Sequence, residues 1–166
     1  MKNNQQATEM TAPVIFTPEA LLKHWQGHRG LTRKMIEAFP EDKLFSYSIG
    51  GMRPFADLVY EFLGMAVPGV TGIATGKWGK WTDANKVSTK KELLDLWDKA
   101  TEEIDRVWPT IPSHRFEEKD VAFGQWPGTG TSFLFYFIDN EIHHRGQGYV
   151  YLRSLGIEPP AFWDRP

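Results

Sequence analysis

An asparagine and a histidine at positions 140 and 144 share a stripe with Phe133, Phe137, Tyr151 and Leu155 when Thr129 to Ser154 is wound as a helix. Polar side chains in an apolar row must be satisfied, because burying an unpartnered imidazole or carboxamide costs about 1–3 kcal/mol. Their i, i+4 spacing aims both at one spot, the arrangement with which helix bundles hold a metal or a polar network. His143 falls about 100° away and reads as a flank residue. Arg145 projects off the inward stripe; it could bind an anionic group, although an intrahelical or surface pairing with Glu141 is the simpler role. His24 and His28 form a second i, i+4 pair, with His28 in an apolar stripe and His24 at its border. The pair could chelate, but a satisfied core histidine beside an exposed one is the commoner arrangement. His28 could also face His144 across a bundle as a proton-transferring neighbour.

Other chemistries are excluded by what the chain lacks. Its 166 residues contain no cysteine, so disulfides, thiolate nucleophiles, iron–sulfur clusters and Cys-type zinc sites are ruled out. Any metal must rest on His, Asp, Glu, Asn or backbone oxygens. The net charge of −2 lacks the basic excess that a nucleic-acid partner would require. Gly76-Lys77-Trp78-Gly79-Lys80-Trp81 interleaves bases with aromatics, but two lysines do not make an electrostatic groove, and the P-loop spacing is missing. Neither a nucleophile elbow, a zincin motif nor a dinucleotide fingerprint occurs.

The elements that would position these groups follow from caps and periodicity. Thr17-Pro18-Glu19 starts a first helix whose stripe Leu21, Leu22, Trp25, His28, Thr32, Met35, Ile36 and Phe39 ends at Pro40. A second helix carries Phe55, Leu58, Val59, Phe62, Met65 and Ala66 and is expected to stop at Pro68. Residues 67–87, rich in glycine, then read as a long, lid-like loop that packs its tryptophans over the bundle end. Thr89 with Glu92 is a capping box for a third helix, closed by Pro109 and Pro112. Arg115 to Trp126 reads as an extended or hairpin excursion. A fourth helix, Thr129 to Ser154, spans roughly 39 Å, with Gly156 as its C-cap. Gly146 and Gly148 inside it suggest close approach by another helix, in a dimer contact, or simple tolerance. With 41% apolar residues, this is an all-α four-helix bundle: a flexible tail at 1–16, then a single domain at 17–166.

Asn140-Glu141-Ile142-His143-His144-Arg145-Gly146-Gln147, with Tyr151-Leu152-Arg153-Ser154-Leu155-Gly156-Ile157 and Pro159-Pro160, resembles the last helix of the DinB/YfiT-like family. The Pro40-Glu41 turn, the Gly51-Met52-Arg53-Pro54 lead and the crossover before the last helix agree with it. The resemblance implies an up-down-down-up bundle, often a homodimer, in which one histidine of the second helix and two of the fourth hold a divalent metal. Here His144 matches the second ligand of the fourth helix, Asn140 stands where the first would be, and Glu61 replaces the histidine of the second helix.

A site of Glu61, Asn140 and His144 offers harder donors than three imidazoles and binds zinc or nickel less well; manganese, magnesium or no metal suits it better. A metal-free hydrogen-bonded cluster is the other reading. The resemblance implies a metal-dependent hydrolase or a transferase acting with a low-molecular-weight thiol, using Ni, Zn or Mn, with Glu61 or His28 as base. The alternative is a dimeric small-molecule-binding or structural bundle without a metal. The DNA damage-inducible name describes expression rather than chemistry. His28, His143, Arg145 and Trp78 are the expected neighbours of the site. With no leader or spanning run in Met1 to Phe16, a cytoplasmic protein away from membranes is expected.

Overall fold

A computed structural model describes residues 15–165, so most of the expected flexible tail lies outside the described residues. The long helices are α1 (Pro18–Ala38), α3 (Phe55–Thr75), α4 (Lys90–Val107) and α5 (Gly130–Ser154), with a single turn α2 (Glu41–Leu44) after the first. Their ends are chemically marked as expected. Thr17 caps α1 by accepting from Ala20 N, and reciprocal Thr89–Glu92 and Thr129–Ser132 boxes open α4 and α5. At the end of α5, Gly156 takes φ +75°, and Ile157 N donates to Leu152 O while Gly156 N donates to Arg153 O, a Schellman closure.

Contacts between helices define the topology. Gln26, Arg29 and Arg33 of α1 meet Asp105, Thr101 and Asp98 of α4 in descending order, so those helices are antiparallel. Trp25 meets Glu141, His28 meets Arg145 and Met35 meets Gly148, so α1 and α5 are parallel. Gly69 on Phe137 and Phe55 on Gly148 make α3 antiparallel to α5. The bundle is therefore up-down-down-up. Because α3 and α4 run the same way, the chain must return the full length of α3 between them.

That return corrects the expectation for residues 67–87. α3 does not stop at Pro68 but runs to Thr75. An internal proline costs about 3 kcal/mol or more, but Pro68 lies on the exposed side, while Gly69, Val70, Gly72 and Ile73 beyond it are buried. Continuing the helix buries more than the lost hydrogen bond is worth. Gly72, read as a loop residue, and Gly64, within the expected helix, form a seat for the returning strap. A Cβ on Gly72 would lie 2.4 Å from the Trp78 ring, and one on Gly64 would lie 2.2 Å from Thr82 O. Ala84 N then donates to Tyr60 O at 3.1 Å, and Tyr60 Oη bridges Val87 N and O, both at 3.0 Å. α3 is long and apolar enough to cross a membrane, yet 67% of its most apolar window is buried in the bundle, as a core helix should be.

Between α4 and α5 the expected excursion is a hairpin, β1 (Lys119–Ala122) paired antiparallel with β2 (Trp126–Thr129). Gly148 packs on Phe55 and Met35 of its own chain, which accounts for it without a second copy, and Gly146 faces open space.

The core divides into two apolar clusters, one around Trp25, Val70, Ile104 and Leu134 and one around Met35, Phe55, Trp97 and Tyr151. A buried polar layer of His28, Arg29, Thr32, Glu141 and Arg145 separates them. Glu141 accepts from Trp25 Nε1 at 3.2 Å and Thr32 Oγ1 at 2.6 Å, with Arg145 Nη1 3.8 Å away. Arg29 donates to Thr101 Oγ1 and Trp97 O, and its guanidinium stacks 4.0 Å from the Trp97 ring centroid. Burial pulls its pKa down to about 10.

Removing the Glu141 charge strands a buried guanidinium, so Glu141→Gln is expected to lower the unfolding free energy by about 3 kcal/mol or more in urea titration. Gly64→Ala is expected to cost about 1–3 kcal/mol by displacing strap backbone, whereas Gly146→Ala, facing open space, is expected to add up to about 1 kcal/mol. The same titration reads both, and equal effects would contradict the strap's seat on α3.

Candidate functional site

Glu61 of α3 faces Asn140 and His144 of α5, so the three residues expected to form a site do meet. Asn140 Nδ2 donates to Glu61 Oε1 at 2.9 Å, and His144 Nε2 stands 3.4 Å from the same oxygen. Arg53 was not foreseen: its Nη2 donates to Glu61 Oε2 at 2.6 Å. Its backbone is pinned by Tyr151, whose hydroxyl donates to Arg53 O at 3.0 Å, so the guanidinium reaches past the start of α3. Gln147, one turn beyond His144, donates from Nε2 to His144 Nδ1 at 3.0 Å. That leaves the imidazole proton on Nε2, directed at the carboxylate.

Burial alone would raise the Glu61 pKa, but the hydrogen bonds from Asn140 and Arg53 and the charges of Arg53 and His144 outweigh it. The group titrates below the ordinary carboxylate value. His144 is pushed below the ordinary imidazole value by burial, against the raising effect of Glu61. The result is a closed cluster in which a carboxylate is neutralised by a guanidinium and each donor is already directed at an acceptor. Asn140 Oδ1, buried and without a donor, is the exception.

A divalent metal on Glu61 Oε1, Asn140 and His144 would need the amide to turn over and the imidazole proton to move to Nδ1, where Gln147 already donates. The donor set present does not fit a resident transition metal. No group of three or more His, Cys, Asp or Glu side chains stands at metal spacing among the described residues.

Glu61 also lines a cavity of about 440 Å³. Met65 of α3, Trp81 of the strap, Phe123, Trp126 and Pro127 of the hairpin, and Phe133, Tyr136 and Phe137 of α5 supply a mainly apolar wall, with Ser132 as a second polar member. The Trp81 and Trp126 rings meet edge-on at 6.4 Å, and Phe123 meets Trp126 at 6.0 Å. Phe123 holds φ +53°, a conformation costing an L-residue roughly 1–2 kcal/mol, which turns its ring into this wall. Trp81 Nε1 is buried without an acceptor.

The remaining expected neighbours lie elsewhere. Trp78 lines no part of the cavity; its Nε1 donates to Asp120 Oδ2 at 2.9 Å, and its ring covers Gly72. His143 is exposed on the flank, as expected. Arg145 is not a surface residue but 2% exposed in the polar layer, where it donates to His28 O and Thr32 Oγ1. His28 is buried and contacts Arg145 and Arg165 rather than His144. With Nδ1 against Arg145 and Nε2 against Arg165, it is not placed to act as a base at the Glu61 site. The His24 ring stands edge-on to His28 at 4.6 Å. Arg53 and Gln147 carry little signal in the sequence beyond their place beside the motif, and the hairpin aromatics carry none.

The bundle, its returning strap and the hairpin that closes an aromatic cavity define a recognised class of helical protein. The chain belongs to the DinB family, whose model matches residues 1–164. The fold is similar to that of a DinB-like protein from Bacillus subtilis, at 19% identity and TM-score 0.70 over 88% of this chain and 99% of that one. It is also similar to one from Bacillus cereus, at 20% identity and TM-score 0.71 over 87% and 97%. A mycothiol-dependent maleylpyruvate isomerase shares the fold at 12% identity and TM-score 0.60, over 84% of this chain and 68% of that one. No curated protein matches.

Acid sensitivity follows from the two lowered imidazoles. Burial first, then the charges of Arg145, His24 and Arg165, push His28 down to about 3. A base with a depressed pKa in the fold takes up protons first in the unfolded chain, so its contribution to stability is present above about pH 6.5 and is lost as pH falls towards the folded value. Glu61 adds a loss that begins only near the ordinary carboxylate pKa. The urea midpoint is expected to fall steadily from pH 7 to pH 5 and to fall less steeply in His28→Gln; a midpoint flat over that range would contradict the buried neutral imidazole.

Proposed function

We propose that the protein binds a small, largely apolar organic molecule in the aromatic cavity without a resident metal. The observation that carries this reading is a mainly apolar, aromatic-lined cavity whose lining includes a carboxylate held ionised. Glu61 accepts from a donor on the ligand. Such a ligand lies along the rings of Trp126, Phe123 and Phe137, with a polar group placed to reach Glu61. Few convergent polar groups in an apolar wall are what fix a ligand's orientation.

The cluster behind Glu61 supports this role. Arg53, Asn140 and His144 hold the carboxylate in place, so it meets a ligand without reorganising. The metal-dependent hydrolase or thiol transferase implied by the family resemblance needs an open metal site, and the isomerase that shares the fold acts with mycothiol. Its support here is the orphaned Asn140 Oδ1, a buried lone pair that a bound cation would satisfy.

Untagged protein distinguishes the readings. Elemental analysis is expected to find metal well below one per chain, and Zn²⁺, Ni²⁺ or Mn²⁺ is expected to leave the melting temperature unchanged. A panel of aromatic alcohols, amines and amides is expected to include ligands that quench Trp fluorescence saturably, with binding weakened at least about tenfold in Trp126→Ala. One metal per chain, lost in Glu61→Gln and His144→Ala, would overturn the metal-free reading and restore the metalloenzyme.

A further inference from the structure

The contacts of His28 cannot all be satisfied at once. The imidazole is 2% exposed, with Nδ1 2.9 Å from Arg145 Nη2 and Nε2 2.9 Å from Arg165 Nη1. A guanidinium only donates, and a neutral imidazole has one donor and one acceptor. It can therefore accept from one arginine and must oppose its own N–H to the other. A protonated ring would oppose both.

Arg145 is the fixed partner. It is buried and is also held by His28 O at 3.1 Å and Thr32 Oγ1 at 3.2 Å. Nδ1 therefore accepts from Arg145, and the proton sits on Nε2, facing the N–H of Arg165. Arg165 comes from the segment after α5; its backbone N–H donates to Trp163 O at 2.9 Å, and its guanidinium stands 5.0 Å from the Phe162 ring. Two donors facing each other at this distance call for an acceptor between them.

The surroundings supply the charge. Ala20, Lys23, His24, Gly27, Trp163 and Arg165 line a surface cleft of about 370 Å³, and two of them, Arg165 and His24, touch His28, which lies just behind it. The nearby acid on the same segment, Asp164, is engaged by Lys34 Nζ at 2.7 Å. Glu141 lies on the inner side of Arg145, already bonded to Trp25 and Thr32. Trp163, 80% exposed, offers a flat apolar face at the cleft's rim.

We propose that this cleft is a second ligand site, which takes a small oxyanion, a carboxylate or a phosphate, between His28 Nε2–H and the Arg165 guanidinium. The anion accepts from both groups that now oppose each other, Lys23 adds charge, and Trp163 covers the ligand's body. No residue of this cleft lines the aromatic cavity, so the site stands whatever that cavity binds.

Long-range proton–nitrogen NMR of the histidine side chains tests it on the full chain. Inorganic phosphate and acetate are titrated separately at constant ionic strength, with chloride as the reference. The free protein is expected to show His28 protonated on Nε2, and at least one oxyanion is expected to shift its resonances saturably and raise the melting temperature. Whichever of the two saturates identifies the oxyanion. The affinity is expected to fall at least fivefold in Arg165→Gln, and by a smaller factor in Lys23→Gln, which leaves the segment after α5 intact. A response to both anions no different from chloride, or an affinity unchanged in both variants, would overturn the site.

Discussion

A single carboxylate in the middle of the bundle organises much of what surrounds it. Glu141 has left water for a place between two apolar clusters, and that is tolerable only with partners on every side. Trp25 and Thr32 approach it from α1, and Arg145 lies one turn along its own helix. Satisfying Glu141 therefore fixes the register of α1 against α5 and draws a guanidinium inside. The guanidinium in turn must donate, and it takes His28 O and His28 Nδ1. One buried charge thus sets the tautomer of an imidazole on a different helix.

The same turn of α5 serves two sites because of helical geometry. Residues 141 and 145 face α1, while 140 and 144, one position earlier in each case, face α3 about 100° around the axis. The polar layer and the Glu61 cluster are therefore built back to back on one rigid element. Each needs α5 to keep its rotation, since a small turn would take Asn140 from Glu61 and Arg145 from His28 together. Buried apolar side chains on both sides of this turn, Phe133, Leu134, Phe137 and Ile138 before it and Tyr151 and Leu152 after it, hold that rotation.

The cavity depends on a different constraint, the parallel course of α3 and α4. A chain that must travel back along α3 needs a strap, and the strap needs small residues beneath it, which Gly64 and Gly72 provide. Its descent places Trp81 against the hairpin, and the strained turn at Phe123 completes the wall. The cavity is thus made of connections laid over the bundle, with Glu61 as the helix residue that reaches it.

Local chemistry in the sequence determined the helix starts, the capping boxes, the hairpin and the common facing of Asn140 and His144, because caps act within a turn and i, i+4 spacing places its own side chains; that Glu61 of another helix meets them was legible only through the family resemblance. Only the tertiary structure decided three other matters. Pro68 did not end α3, since burial of Val70 and Ile73 outweighed a local breaker. Arg145 went inside although a charged residue ordinarily faces water, since Thr32 and His28 on a distant segment supplied its acceptors. Arg53 came to neutralise Glu61 because Tyr151 pins its backbone from another helix. Each of these is a balance between a local cost and partners far away in the chain, and such partners are set by packing rather than by spacing.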